Sequence, residues 1–304
     1  MPRSIVTLTT DFGTAQPYAA MMKGVILTRA PGTEVIDLTH EIPAFQPELA
    51  GFWLQHCQPW FPSGTVHLAV VDPGVGTDRR LLAAEVGDQV VIAPDNGLLG
   101  ALIARYPRTR VREVALDALA GLLPARRSQT FHGRDIFAPI AGEMAAGRLS
   151  VIGLGDTTED HVRGAFALPE VREGVIHGQV VLADRWGNLL TNVEAPRPAA
   201  EGSLKLRLAG QEFPITRTRY ADLPAGQPGA LINALGLVEI AVHRGSAAEL
   251  LDAGTGTTVD ILGAEIPAPR PMRPGGPGGR PGGRPANATG GPSGRPGAAS
   301  QGRP

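Results

Sequence analysis

The chain has 304 residues, 42% of them apolar and 19% charged, with a formal net charge of −1. That apolar share can build a sizeable core and excludes a wholly disordered chain, and no run approaches the roughly 20 apolar residues of a membrane span. The balance of charge is uneven: residues 267–304 hold six of the 28 basic residues and no acid, which leaves the body with 22 basic against 29 acidic, a net of −7. An acidic body repels phosphates and argues against nucleic acid as the main ligand. The first apolar run is broken at Asp11, so no secretory leader is expected. The single cysteine, Cys57, excludes a disulfide framework and a Cys-based zinc site. A cytoplasmic protein is the default expectation.

Residues 4–9 form a β-rich run, 18–29 a helical pattern stopped by Pro31-Gly32, and 34–38 a short strand. Residues 48–58 read as a helix and 65–71 as a buried-type strand ending at Asp72-Pro73-Gly74. Two strands, 82–86 and 89–93, flank the Gly87-Asp88 turn. A helix over 97–105 follows, with Asp95-Asn96 read as its capping pair. This alternation predicts an α/β domain, a central sheet flanked by helices. After about residue 165 the pattern turns to short strands: 174–183, 189–193, 203–208, 212–216, 230–232, 238–242 and 257–262. They predict a smaller all-β barrel domain. The expected division is 1–168, 169–266, and a disordered Arg/Gly/Pro-rich tail over 267–304, where Gly and Pro supply 21 of 38 residues.

Four polar clusters sit where chemistry is expected. In open α/β sheets ligands bind beyond the carboxyl ends of strands. Thr9-Thr10-Asp11-Phe12-Gly13 follows the first strand, and Asp11 suits either a ribose diol or a helix N-cap. Asp72 opens a glycine-bearing turn that ends in Arg79-Arg80; a ligand loop and a tight turn with a solvated arginine pair both fit. His132, in Thr130-Phe131-His132-Gly133-Arg134-Asp135, opens a helix of small residues. It suits proton chemistry near neutral pH or a plain structural donor. His40, His56 and His67 read as core histidines, and His161, His177 and His243 have no role legible from position. In Ala183-Asp184-Arg185-Trp186-Gly187-Asn188, an aromatic beside an acid and an amide suits a flat heterocycle, or a hairpin turn with a packed Trp. No HExxH, paired Cys or EF-hand spacing is present, so no metal and no cofactor is expected.

Taken together, TLTTDFG, MKGVI, IDLTHEIP, FPSGTVHLAVVDPGVGT-x-RR, APDNGLL, TFHGRDIFAP and DRWGNLLTN resemble the S-adenosyl-L-methionine hydrolase (adenosine-forming) family. This family is also called the SAM hydroxide adenosyltransferases, and fluorinase and chlorinase are its relatives. The likeness runs collinearly from about Ile5 to Leu262. It implies hydrolysis of S-adenosyl-L-methionine to adenosine and L-methionine, an N-terminal α/β domain, a C-terminal β-barrel, and a homotrimer whose sites lie between subunits. The family's catalytic Asp–Arg–His set falls on Asp72, Arg79 and His132. Its ribose acid falls on Asp11, its stacking aromatics on Phe45 and Trp186, its methionine- and adenine-holding residues on Asp184 and Asn188, and adenine-contacting backbone near Arg244. Two departures stand out. Gln16 occupies the place of an acid that holds the methionine ammonium in the halogenases, and Ala234-Leu235 that of a Ser-Arg pair for the carboxylate. The rivals are a nucleophilic halogenase acting on the same substrate and a non-catalytic nucleoside- or RNA-associated protein using the Arg/Gly tail. A carboxylate at Asp72 would repel a halide.

Overall fold

The computed structural model describes residues 4–164, 168–216 and 219–266; the tail over 267–304, expected to be disordered, lies outside them. The first strand, β1 (Ile5–Thr10), is buried on both faces, as a central parallel strand must be. Helix α1 (Tyr18–Arg29) buries Ala19, Met22 and Ile26, one stripe at helical spacing. Then come β2 (Glu34–Thr39), α2 (Pro47–Cys57), β3 (Val66–Val70), β4 (Leu81–Val86), β5 (Gln89–Pro94), α3 (Gly100–Arg105) and β6 (Arg110–Glu113). These strands form one sheet in the order β2-β1-β3-β5-β4-β6, in which only β4 runs against its neighbours.

Helix α4 (Ala138–Ala145) joins α1 on one face, where Met22, Ile26, Phe137 and Ile140 pack on Val6, Leu8 and Leu68. Helices α2 and α3 cover the other, where Phe52, Leu54, Leu99 and Leu102 meet Ala69, Val71, Leu82 and Val91. Each such fully buried side chain contributes about 1.5–3 kcal/mol. Helix α2 lies tight against the turn that precedes α3: a Cβ on Gly51 would stand 2.0 Å from the carbonyl oxygen of Leu98. Polar groups within the sheet are satisfied in a chain. Thr7 Oγ1 meets His67 Nδ1 at 2.7 Å, His67 Nε2 meets Gln89 Oε1 at 3.0 Å, and Gln89 Nε2 donates to the carbonyl of Phe61. His67 is thus a core histidine, as its position in the sequence indicates.

The second half holds β7 (Glu170–Arg172), β8 (Val175–Ala183), β9 (Leu189–Glu194), β10 (Lys205–Leu208), β11 (Gln211–Thr216), β12 (Pro228–Ile232), β13 (Leu237–Val242), the one-turn α5 (Ala247–Leu251) and β14 (Thr258–Leu262). Seven of these strands, β8 to β14, close into a barrel in the order β14-β10-β11-β12-β13-β9-β8, with β14 pairing back onto β8. Closure leaves no edge among the seven, and β7 adds to the outside of β8. The barrel has its own core of Val180, Leu189, Leu206, Val238, Ile240 and Ile261. It also lends Val181 and Leu237 to the cluster under α2 and α3, and Glu194 pairs with Arg105 across the same boundary.

One local expectation is corrected. Asp95-Asn96 does not cap a helix starting at residue 97: α3 begins at Gly100 after Leu99, with no side-chain cap. Both side chains are engaged by other parts of the sheet, as described below.

Candidate active site

Sheet topology brings the first two clusters together. The chain leaves β1 for β2 on one side and returns to β3 on the other, so β1 and β3 flank the switch point of the sheet. Their parallel register sets Thr10 opposite Val70. Asp11 and Asp72 therefore emerge side by side, where open α/β sheets bind ligands. The capping alternative for Asp11 falls away, because α1 begins at Tyr18 after Pro17.

Asp72 and Arg79 stand at the two ends of one loop. The Arg79 guanidinium donates through Nε to both carboxylate oxygens of Asp72, at 2.8 Å each, and through Nη2 to Oδ2. Their side chains are 4% and 9% exposed, so this arginine is not solvated. Arg79 Nη2 also stands 3.0 Å from His132 Nδ1, and its Nη1 is buried with no hydrogen-bond partner among the described residues. The third cluster arrives because the Asp72 loop is pressed onto residues 128–132. A Cβ on Gly76, at φ +82°, would meet the carbonyl of Gln129 at 2.4 Å, so this position needs glycine. After His132 the chain makes a π-helical turn, Gly133–Phe137, that leads into α4. Gly133 itself sits against Met22, Phe131 and Phe12.

An arginine N–H can only donate, so His132 Nδ1 accepts and the imidazole is neutral, with its proton on Nε2. Burial, followed by the Arg79 charge, accordingly holds His132 below its ordinary pKa. Asp11 moves the other way: burial raises its carboxyl, with the negative charge of Asp72 adding to the rise. The Asp11 carboxylate accepts the backbone N–H of Phe45. Phe45 is held at φ +64°, a strained conformation for a residue with a side chain, and its ring is 75% exposed. Asp11, Phe45, Asp72, Phe131 and His132 line a cavity of about 90 Å³. Phe12 and Phe131, in edge-on contact, form part of its apolar wall, and Tyr18 packs edge-on against both. Two carboxylates against one guanidinium leave an excess of negative charge here when both are ionised.

The fourth cluster lies elsewhere. Asp184 to Asn188 turn between β8 and β9. Asp184 Oδ1 accepts the amides of Trp186 and Asn188, and Oδ2 accepts Asn188 Nδ2, all at 2.9 Å. The turn is real, but its Trp is not packed: Trp186 is 68% exposed, with the Arg185 guanidinium over its ring. Gly187 presses on Ser246, which sets this turn beside Arg244, a non-glycine residue at φ +58°. None of Asp184, Trp186, Asn188 and Arg244 lines the cavity at Asp72. Near Asp184 lies a residue that sequence reading missed: Glu239, buried in β13, accepts Tyr220 Oη at 2.7 Å and Asn233 Nδ2 at 2.8 Å, and burial, with the Asp184 charge adding to it, raises its carboxyl. Its signal is a lone acid in the apolar run of β13.

The SAM hydroxide adenosyltransferase N-terminal domain matches residues 6–153, and the C-terminal domain of the same name matches residues 178–260. The chain belongs to the SAM hydroxide adenosyltransferase family. Relatives agree along nearly their whole lengths. A protein named (R)-S-adenosyl-L-methionine hydrolase from Thermus thermophilus is 39% identical over 83% of this chain and 97% of its own. One of the same name from Salinispora tropica is 36% identical, over 86% and 98%. A fluorinase from Actinoplanes is more distant, at 27% identity. Among solved structures, an uncharacterized conserved protein from Thermotoga maritima superposes with a TM-score of 0.75 at 31% identity, covering 85% of this chain and 99% of that one. Membership fits both halves of the architecture, the α/β sheet and the barrel.

Proposed function

We infer that this member of the family hydrolyses S-adenosyl-L-methionine to adenosine and L-methionine. The observation that carries the reading is the Asp72–Arg79–His132 contact set beside Asp11, in a cavity suited to a cation. A water oxygen attacks C5′ in line with the C5′–S bond. The O–C5′ bond forms, the C5′–S bond breaks, and its electron pair returns to a neutral methionine sulfur. The departing sulfur needs no acid, because leaving cancels its charge. The water's proton goes to Asp72, since the neutral His132 already accepts Arg79 at Nδ1 and presents only an N–H at Nε2. His132 orients the water, and Arg79 fixes the carboxylate that receives the proton. Asp11 accepts the ribose hydroxyls.

The curated relatives are named for the (R) sulfonium epimer, and we assign the same preference here. Halogenation fits poorly, because the Asp72 carboxylate lines the cavity and repels a halide.

A cavity of about 90 Å³ is well below the roughly 300–1,000 Å³ of ligand pockets. The substrate accordingly needs a second wall, and the Asp184–Trp186–Asn188–Arg244 group of a neighbouring subunit would supply it within a homotrimer. The two exposed rings, Phe45 and Trp186, would then stack on the two faces of the nucleoside. No described helix is long and apolar enough to cross a membrane, and one cysteine suits a reducing, cytoplasmic setting.

The test is chromatography of the protein incubated with each purified sulfonium epimer, with and without high chloride. Adenosine and methionine from the (R) form, indifferent to chloride, are expected; a 5′-chloro product or no turnover would overturn the reading. Mixing inactive Asp72→Asn and Trp186→Ala protomers after dissociation should restore activity if sites are shared between subunits, and leave none if they are not.

A further inference from the structure

The Asp95-Asn96 pair has no role in the chemistry above, yet its position is specific. In sequence β3, β4 and β5 follow one another, but in the sheet β5 lies between β3 and β4. The loop that carries Asp72 and Arg79 must therefore cross over the end of β5. Asp95 and Asn96 are the two residues that leave β5 at that point, directly beneath the crossing.

Each of them holds one foot of the loop. Asn96 Nδ2 donates to the carbonyl of Val71 at 2.8 Å, the residue before Asp72. Asp95 holds Arg80, the residue after Arg79. Its Oδ2 accepts Arg80 Nε at 3.0 Å and Nη2 at 2.6 Å, and its amide donates to the Arg80 carbonyl at 3.0 Å. The Asp95 side chain is 4% exposed. Both clasping residues are in turn fixed: Asp95 Oδ1 accepts the amide of Val162 at 2.8 Å, and Asn96 Oδ1 accepts that of Leu98. Arg80 reaches outward to Glu113 and Asp160 as well, so it is a tether and not a solvated partner of Arg79.

We propose that Asp95 and Asn96 are positioning residues, a clasp that fixes the distance between the two ends of the Asp72–Arg79 loop and so holds Asp72 and Arg79 in register with His132. Neither residue lines the cavity at Asp72. Their effect passes through the loop, where an error of about 1 Å in the placement of a reacting group costs on the order of a hundredfold in rate.

The proposal rests on the hydrolase reading for its kinetic arm and is independent of it for its spectroscopic arm. Asn96→Asp and Asp95→Asn are prepared in the full chain. Glu85→Gln serves as control: Glu85 lies on β4, in a partly buried ion pair with Arg112, toward the end of the strand away from the loop. The measurements are kcat and KM for S-adenosyl-L-methionine, the His132 titration midpoint by NMR, and Tm. The clasp variants are expected to lose about tenfold or more in kcat with KM within about twofold. Their His132 midpoint should rise as Arg79 drifts from Nδ1. The control should lower Tm and leave kcat and the midpoint alone. If Asn96→Asp does not fold, Asn96→Ser, which removes the donor without adding charge, is read in its place. Folded clasp variants with wild-type kcat and His132 midpoint would overturn the proposal. So would a control that reproduces their shifts, or clasp variants none of which fold, since a pair that only holds the fold is not a positioning device. If the wild type turns over no substrate, the hydrolase reading fails, and the His132 midpoint still decides the clasp.

Discussion

Replacing Asp72 by asparagine tests the chemistry most directly. The change keeps the shape of the side chain and an oxygen to accept Arg79 Nε, so the 2.8 Å contact can survive. What is lost is the negative charge and, on the proposed mechanism, the basic oxygen that takes the water's proton. General-base assistance is typically worth about 10²–10⁴-fold, or about 2.7–5.4 kcal/mol of barrier. That loss is expected in kcat, with a smaller rise in KM, because the proposed mechanism sets Asp72 against the water and Asp11 against the ribose. A second signal comes from His132. Asp72 raises its pKa and Arg79 lowers it, so removing the acid should drive the His132 midpoint further down. A third comes from stability: Arg79, 9% exposed, loses its counter-charge, and an uncompensated buried charge costs up to about 3–5 kcal/mol. Adenosine formation followed by chromatography, NMR titration of His132 and thermal melts read the three effects. A folded Asp72→Asn variant with kcat within about threefold of wild type would refute the base assignment.

Asp11→Asn should raise KM by about tenfold or more and leave kcat nearly unchanged, since hydrogen bonds to a charged group are worth about 1.5–3 kcal/mol; steady-state kinetics check it. With His132 held below its ordinary pKa, kcat should stay level as pH falls through 6.5, and a rate–pH profile that breaks there would contradict the neutral-imidazole geometry. Gly51→Ala sets a methyl group against the Leu98 carbonyl and should lose about 1–3 kcal/mol, read from urea midpoints. Burial lowers His67 to about 4, so on acidification the unfolded chain takes up a proton that the folded one refuses. Stability should fall by about 3 kcal/mol between pH 6.5 and 4 on this account, and His67→Gln should flatten that dependence in urea titrations at the two pH values.

Much of the fold is legible from local pattern. The residues of α1 are predicted with the bounds they have, because an apolar stripe at helical spacing ends at Pro31-Gly32. The barrel strands stand out as short runs with few helical signals between them. What local pattern misses is set by distant contacts. Arg110–Glu113 is three-quarters charged, and it becomes a strand only because β4 offers a ladder at the sheet edge. Asp95-Asn96 looks like a helix cap, and the reason it is not one is spatial, since β5 lies between β3 and β4. The same holds for Arg79-Arg80, which the sequence leaves open to a solvated reading. Asp72 holds the buried guanidinium of Arg79, and Asp95 holds the partly exposed one of Arg80. Asp11, Asp72 and His132 could be named one by one, but only the switch point of the sheet and the Gly76–Gln129 approach bring them to one cavity.

The closing of the barrel also imposes an order on synthesis. Its last strand, β14, pairs with β8, and His177 and Asp260, joined across that seam, stand 83 residues apart. At about 5–20 residues per second, the α/β sheet can be complete while β8 waits roughly 4–17 s for its partner. During that interval β8 presents an unpaired ladder to other nascent chains, the arrangement most prone to mispairing. Slow translation between β8 and β14 would lengthen the exposure, and a chain cut short before Leu262 would keep it permanently.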